Sequence, residues 1–158
     1  MNKKIIKIFL FSFIVLTSHC GFKVIDKSEK NNFSIKTIEI SGDERISYKI
    51  RNNLLVNSLT NNTNSIILNL NSKKIKSIKE KNIENETTKY QITLNINVQY
   101  NFVGKNENFV FNLSSNGDYL VGNNHLETIN NEKRLINNLT ENISDKILDT
   151  IGFNINDN

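Results

Sequence analysis

Proline, tryptophan and alanine are absent from this chain, cysteine and methionine occur once each, and histidine occurs only at 19 and 125. Each shortage removes a class of function. Without proline there is no polyproline linker and no collagen-like repeat. A lone cysteine, Cys20, excludes a disulfide framework, a cysteine-based zinc site and a CxxC redox pair. Two distant histidines leave little room for a metal centre or a nucleophile–base pair. The carboxylates are scattered and His125 stands alone, so no convergent acid–base constellation is legible. An enzyme, a metal site and a cofactor site are therefore not expected. What is abundant is Asn, 30 residues, and Ile, 23 residues, among a total of 158. That bias, with abundant Lys, is the composition of an AT-rich genome. The length suits one domain.

The net charge of +4 misleads until the amino terminus is read. Residues 1–19 have the layout of an export signal: Lys3, Lys4 and Lys7, then an apolar run from Ile8 to Leu16, then Thr17-Ser18-His19. The run is too short to span a bilayer as a helix, which needs about 20 apolar residues. The signal carries three lysines and no acidic residue, so from Cys20 onward 17 basic face 16 acidic side chains. A nucleic-acid partner would require a basic face that this balance does not provide.

Cys20 directly follows the apolar run. It resembles the lipobox cysteine of bacterial lipoproteins, which is acylated and becomes the first mature residue, although Thr17 and His19 stand where Leu and a small residue are usual. Several acyl chains together hold a protein stably on a membrane, where one chain holds it reversibly. The expected organisation is a signal peptide at 1–19, a lipidated tether at 20–32, one α+β domain at 33–152 and a frayed terminus at 153–158.

Within the domain, Phe33 to Ile40 is rich in β-branched residues and predicts a first strand. Ser41 and Glu44 have capping-box spacing, and Ile46, Ile50, Leu54, Leu55 and Leu59 then recur at helical period. Ser65 to Asn71 alternates as a second strand. Lys73 to Glu86, with five Lys and three Glu, reads as a long charged connection or a frayed strand continuation. The clearest signal is Tyr90 to Phe102. Every second residue there is apolar and every intervening one is Gln, Thr or Asn, which specifies a strand with one buried and one polar face. After a turn at Gly104 to Asn108, Phe109, Phe111 and Leu113 continue the alternation. Leu126 to Ile151 predicts a long amphipathic helix with a stripe of Leu135, Ile136, Leu139, Ile143, Ile147 and Ile151, stopped by Gly152. The order is β-α-β-β-β-α. It predicts a small, mostly antiparallel four-stranded sheet with both helices on one face.

These features together resemble LptE, the family of lipopolysaccharide-assembly lipoproteins. The resemblance rests on Cys20-Gly21-Phe22 after the signal, the strand-to-helix step at Ile38-Glu39-Ile40-Ser41, the long strand ending in Tyr100-Asn101-Phe102, and the terminal helix. It implies a non-enzymatic outer-membrane lipoprotein. Such a protein faces the periplasm, plugs and helps assemble an LptD-like β-barrel, and assists lipopolysaccharide transport to the outer leaflet. Implied partners are that barrel, lipopolysaccharide, and the membrane through Cys20. Contacts to lipopolysaccharide phosphates would come from basic residues. The densest group is Lys73, Lys74, Lys76, Lys79 and Lys81, and Lys105 on the hairpin turn is an isolated alternative. Other readings of the same residues are an auxiliary lipoprotein of another lipid or ABC transport system, and a structural lipoprotein without a ligand.

Overall fold

The structure, a computed structural model, describes residues 33–57, 64–105 and 107–156. The expected signal peptide, tether and Cys20 lie outside the described residues. Six elements follow one another: β1 (Ser34–Gly42), α1 (Glu44–Asn57), β2 (Ser65–Lys81), β3 (Thr87–Phe102), β4 (Asn108–Leu120) and α2 (His125–Asn156). The sheet has the order β1-β2-β3-β4. The β1–β2 pair is parallel, as a strand–helix–strand connection allows, and the other two pairs are antiparallel hairpins.

Alternation along β3 builds the core. Ile92, Leu94, Ile96, Val98 and Tyr100 are all buried and point to the same side. Their register neighbours share that side: Leu68, Leu70 and Ser72 on β2, and Phe109, Phe111 and Leu113 on β4. Both helices close this face, α1 over β1 and β2, α2 over β4 and β3, and they pack on each other. Helix α1 contributes Ile46, Ile50 and Leu54; α2 contributes Ile136, Leu139, Ile143, Ile147 and Ile151. Tyr100 anchors an aromatic group at one end of the sheet, stacked on Phe109 at 5.0 Å with Phe102 edge-on.

Several expectations from sequence are revised. Of the two readings of the charged segment after Asn71, the strand continuation holds and the connection does not: β2 runs on to Lys81, paired with β3. Hydrophobic period reports only burial against a core, and beyond Ser72 most residues of both faces are open, so the pattern fades while the ladder continues. A register shift between Ile78 and Glu80 further scrambles the spacing. Likewise β4 extends past Leu113 to Leu120. Ser41 is not the cap of α1. It remains in β1, its hydroxyl donating to the Leu70 carbonyl (3.3 Å), while Asp43 Oδ1 accepts the Ile46 N–H (3.1 Å). Gly152 does not stop α2, and residues 153–156 are helical instead of frayed. Ile155 still packs against the core there, and the Asn154 side chain donates to the Tyr100 hydroxyl at 3.1 Å.

A buried polar knot closes the β1–α1 corner. Asp43 N–H donates to the Ser72 carbonyl (2.8 Å), the Ser72 hydroxyl donates to the Asp43 carbonyl (2.9 Å), and the Ser47 hydroxyl reaches the Ser41 carbonyl (3.0 Å). Ser47 and Ser72 are both buried, so these partners replace water that their hydroxyls have lost.

Candidate functional site

The side of the sheet away from the helices is polar. Gln91, Thr93, Asn95, Asn97, Gln99 and Asn101 of β3 form its central row. Opposite them on β4 stand Asp118, Asn116, Ser114, Asn112, Val110 and Asn108, and on β2 stand Ser77, Ile75, Lys73, Asn71, Asn69 and Ile67. Across these three rows the charged residues are Lys73 and Asp118. Side chains bond along the ladder: Asn97 Nδ2 to Asn112 Oδ1 at 2.8 Å, Ser114 Oγ to Asn95 Oδ1 at 2.8 Å, and Gln91 Nε2 to Asp118 Oδ1 at 3.1 Å. A shallow depression of about 360 Å³ sits in the middle, lined by Asn71, Lys73, Asn95, Asn97, Asn112 and Ser114. Amides and hydroxyls supply both donors and acceptors without the large desolvation cost of full charges, so this face can meet another polar surface closely.

The lysines singled out from sequence do not form one site. Successive strand residues face opposite sides. Lys73 therefore joins the polar face, whereas Lys74 and Lys76 lie on the helix side, opposite Leu94 and Ile92. Lys76 is engaged there. Its Nζ lies 2.7 Å from Glu132 Oε2 of α2, and 4.4 Å from the Tyr90 ring centre. The Tyr119 hydroxyl donates to the same carboxylate oxygen at 2.8 Å. Partial burial disfavours the Glu132 anion, but the hydrogen bonds from Lys76 and Tyr119 outweigh it and hold the carboxyl below its usual range. For Lys76, burial likewise works against the charge, and Glu132 overrides it and raises the pKa. This cluster ties the first turns of α2 to the sheet. Lys105 sits at the opposite end, in the β3–β4 turn, its Nζ 5.1 Å from the Phe102 ring. Lys73 pairs with Asn95, seven residues from Phe102, so at about 3.3 Å per residue the two lysines are roughly 20 Å apart along the sheet.

Sequence reasoning missed Glu132 and Tyr119 as partners. Their link depends on where α2 crosses β4, which no local spacing reveals. The start of α2 was legible in principle: Asn124 Oδ1 accepts the Glu127 N–H (2.9 Å), and Glu127 Oε2 accepts the Asn123 N–H (2.8 Å), close to a capping box. Among the described residues no group of three or more His, Cys, Asp or Glu could hold a metal ion, and no helix is long and apolar enough to cross a membrane.

A four-stranded mixed sheet with two helices on one face and an amide-lined opposite face defines an α+β module with an open polar surface. Solved structures share the fold. The rare lipoprotein B from Shewanella oneidensis superposes with a TM-score of 0.58 at 16% identity, covering 77% of this chain and 97% of that one. A lipoprotein candidate from Caulobacter crescentus CB15 gives 0.54 at 10% identity, covering 75% and 89%. A search of curated protein sequences gives no match. The family model described as LptE, lipopolysaccharide-assembly, matches residues 31–151, and the chain belongs to that family. Its role is in lipopolysaccharide assembly, within a family of non-enzymatic, outer-membrane-associated lipoproteins.

Proposed function

We propose that this chain is the lipid-anchored subunit of an outer-membrane lipopolysaccharide translocon, seated in the lumen of an LptD-like β-barrel and assisting that barrel's assembly. Cys20 is its acylated anchor, and the domain works from the periplasmic side of the outer membrane. The observation that carries this reading is the helix-free amide face of β2, β3 and β4. A barrel lumen is polar. A plug inside it must exchange water for protein hydrogen bonds over a broad area, and a sheet face of Asn, Gln, Thr and Ser does so without stranding charges. On this face Lys73, beside the Asn95–Asn97 depression, is the cation placed for a phosphate of lipopolysaccharide. Lys74 on the helix side and Lys105 at the far end are secondary contacts, and Lys76 serves Glu132 first.

The test is the double variant Asn95→Asp, Asn112→Asp. Both side chains act as acceptors in their hydrogen bonds, from Ser114 and Asn97, so Asp preserves the fold's own contacts. It adds two negative charges to a face that the barrel would desolvate. The variant should melt within a few degrees of the parent while the barrel recovered with it falls at least fivefold. Equal recovery would remove the amide face from the interface.

A further inference from the structure

The β1–β2 ladder ends abruptly. Gly42 pairs with Ser72, and the chain then turns into α1 through Asp43. Strand β2 continues for nine residues, Lys73–Lys81, paired with β3 on one side only. Among the described residues no other strand pairs along its second edge. Alternate N–H and C=O groups of a strand point to each side, so this edge is an open row of donors and acceptors. Ile75 (42% exposed) and Ile78 (53% exposed) flank it on opposite faces. The segment also carries five lysines against one glutamate, Glu80.

We propose that the free edge of β2 at Lys73–Lys81 takes an extended acidic segment of a partner protein as an added strand. Main-chain hydrogen bonds would supply the docking, and cross-strand charge pairing with Lys73, Lys74 and Lys79 would select the partner. A second copy of this chain is a poor occupant, because edge-to-edge pairing would set one row of lysines against another. The lysines that prevent self-association thus leave the edge open to the opposite charge. The docking groups here are the main-chain donors and acceptors of the edge, distinct from the amide face, although Lys73 borders both surfaces.

The experiment follows amide hydrogen exchange of the full chain by NMR with two capped eight-residue peptides, one alternating Val and Glu, the other alternating Val and Lys. The Val/Glu peptide should slow exchange of the outward-pointing amides within Lys73–Lys81 at least fivefold, and the Val/Lys peptide should not. Replacing Lys73, Lys74 and Lys79 by Glu, with Lys76 kept for Glu132, should reverse the preference. The wild-type comparison decides the matter alone if that variant folds poorly. Three outcomes overturn the proposal: no protection by either peptide, peptide binding without amide protection, and protection that grows with chain concentration in the absence of peptide. The second would mean charge attraction only, and the third a second copy on the edge.

Discussion

Replacing Gly42 by Ala should be far more damaging than the same change at Gly104, although both glycines have left-handed backbone angles, φ +81° and +85°. An L residue there costs about 1–2 kcal/mol, offset by about 0.4–1 kcal/mol from a stiffer unfolded chain. At Gly104 nothing lies within 4 Å of the added methyl, so the net loss should be about 1 kcal/mol or less. At Gly42 the methyl would sit 2.1 Å from the Ser72 carbonyl oxygen, which is backbone and cannot rotate away. Relieving the overlap requires a shift of about 1 Å at the point where Asp43 N–H bonds that same oxygen. The shift would also loosen the buried hydroxyls of Ser47 and Ser72, and each unsatisfied buried group costs about 1–3 kcal/mol. The expected loss at Gly42 is therefore about 3–5 kcal/mol, or roughly 10–25 °C in Tm for a domain of this size. Urea unfolding of the two variants beside the parent measures it. Losses within 1 kcal/mol of each other would refute the claim that the β1–α1 corner is held rigidly against Ser72.

Four further outcomes are expected, three from the same geometry and one, at Cys20, from the sequence alone. Leu94→Ala should cost about 2–5 kcal/mol in denaturant unfolding, whereas Asn95→Ser, on the exposed face of the same strand, should cost about 0.5 kcal/mol or less. Glu132→Gln should cost about 1 kcal/mol near neutral pH, because Gln keeps an acceptor for Tyr119 but loses the charge facing Lys76. The pH dependence has a definite sign. A carboxyl lowered in the folded state stabilises above its unfolded value of 4.5, and that stability drains as pH falls through the folded value, so parent and variant should converge in acid. Cys20→Ala should move the protein from the membrane to the soluble periplasm without altering its melting temperature, and mass spectrometry of the parent should find acyl mass on Cys20. Lys73→Gln should weaken lipopolysaccharide binding at low salt by severalfold and Lys76→Gln should not, since Lys76 is already neutralised by Glu132.

Where residues were buried against a single face, the sequence was easy to read. The alternation from Tyr90 to Phe102 and the stripe from Leu135 to Ile151 both report contact with one core, and both elements lie where that periodicity puts them. Legibility failed where burial ceased to govern. The far half of β2 is held by ladder hydrogen bonds to β3, which leave no mark on side-chain pattern, so its lysines fit a connection as well as a strand continuation. Gly152 misled because a helix anchored by Ile151 and Ile155 tolerates a glycine whose cost is about 1 kcal/mol. The amide row of Asn95 and Asn97 was visible as polarity, but its extension to Asn71 and Asn112 depends on register between strands. The lysine cluster dissolved for the reason that makes a strand: neighbours in sequence face opposite sides.

The most direct test of the central claim is purification of the tagged, membrane-extracted chain under mild detergent, followed by identification and quantification of what accompanies it. The barrel-plug reading predicts one heat-modifiable β-barrel protein at equimolar amount, with loss of that barrel from the outer membrane when the chain is depleted. Recovery of the lipidated chain without a barrel, or with the components of a periplasmic or inner-membrane transporter instead, would contradict it.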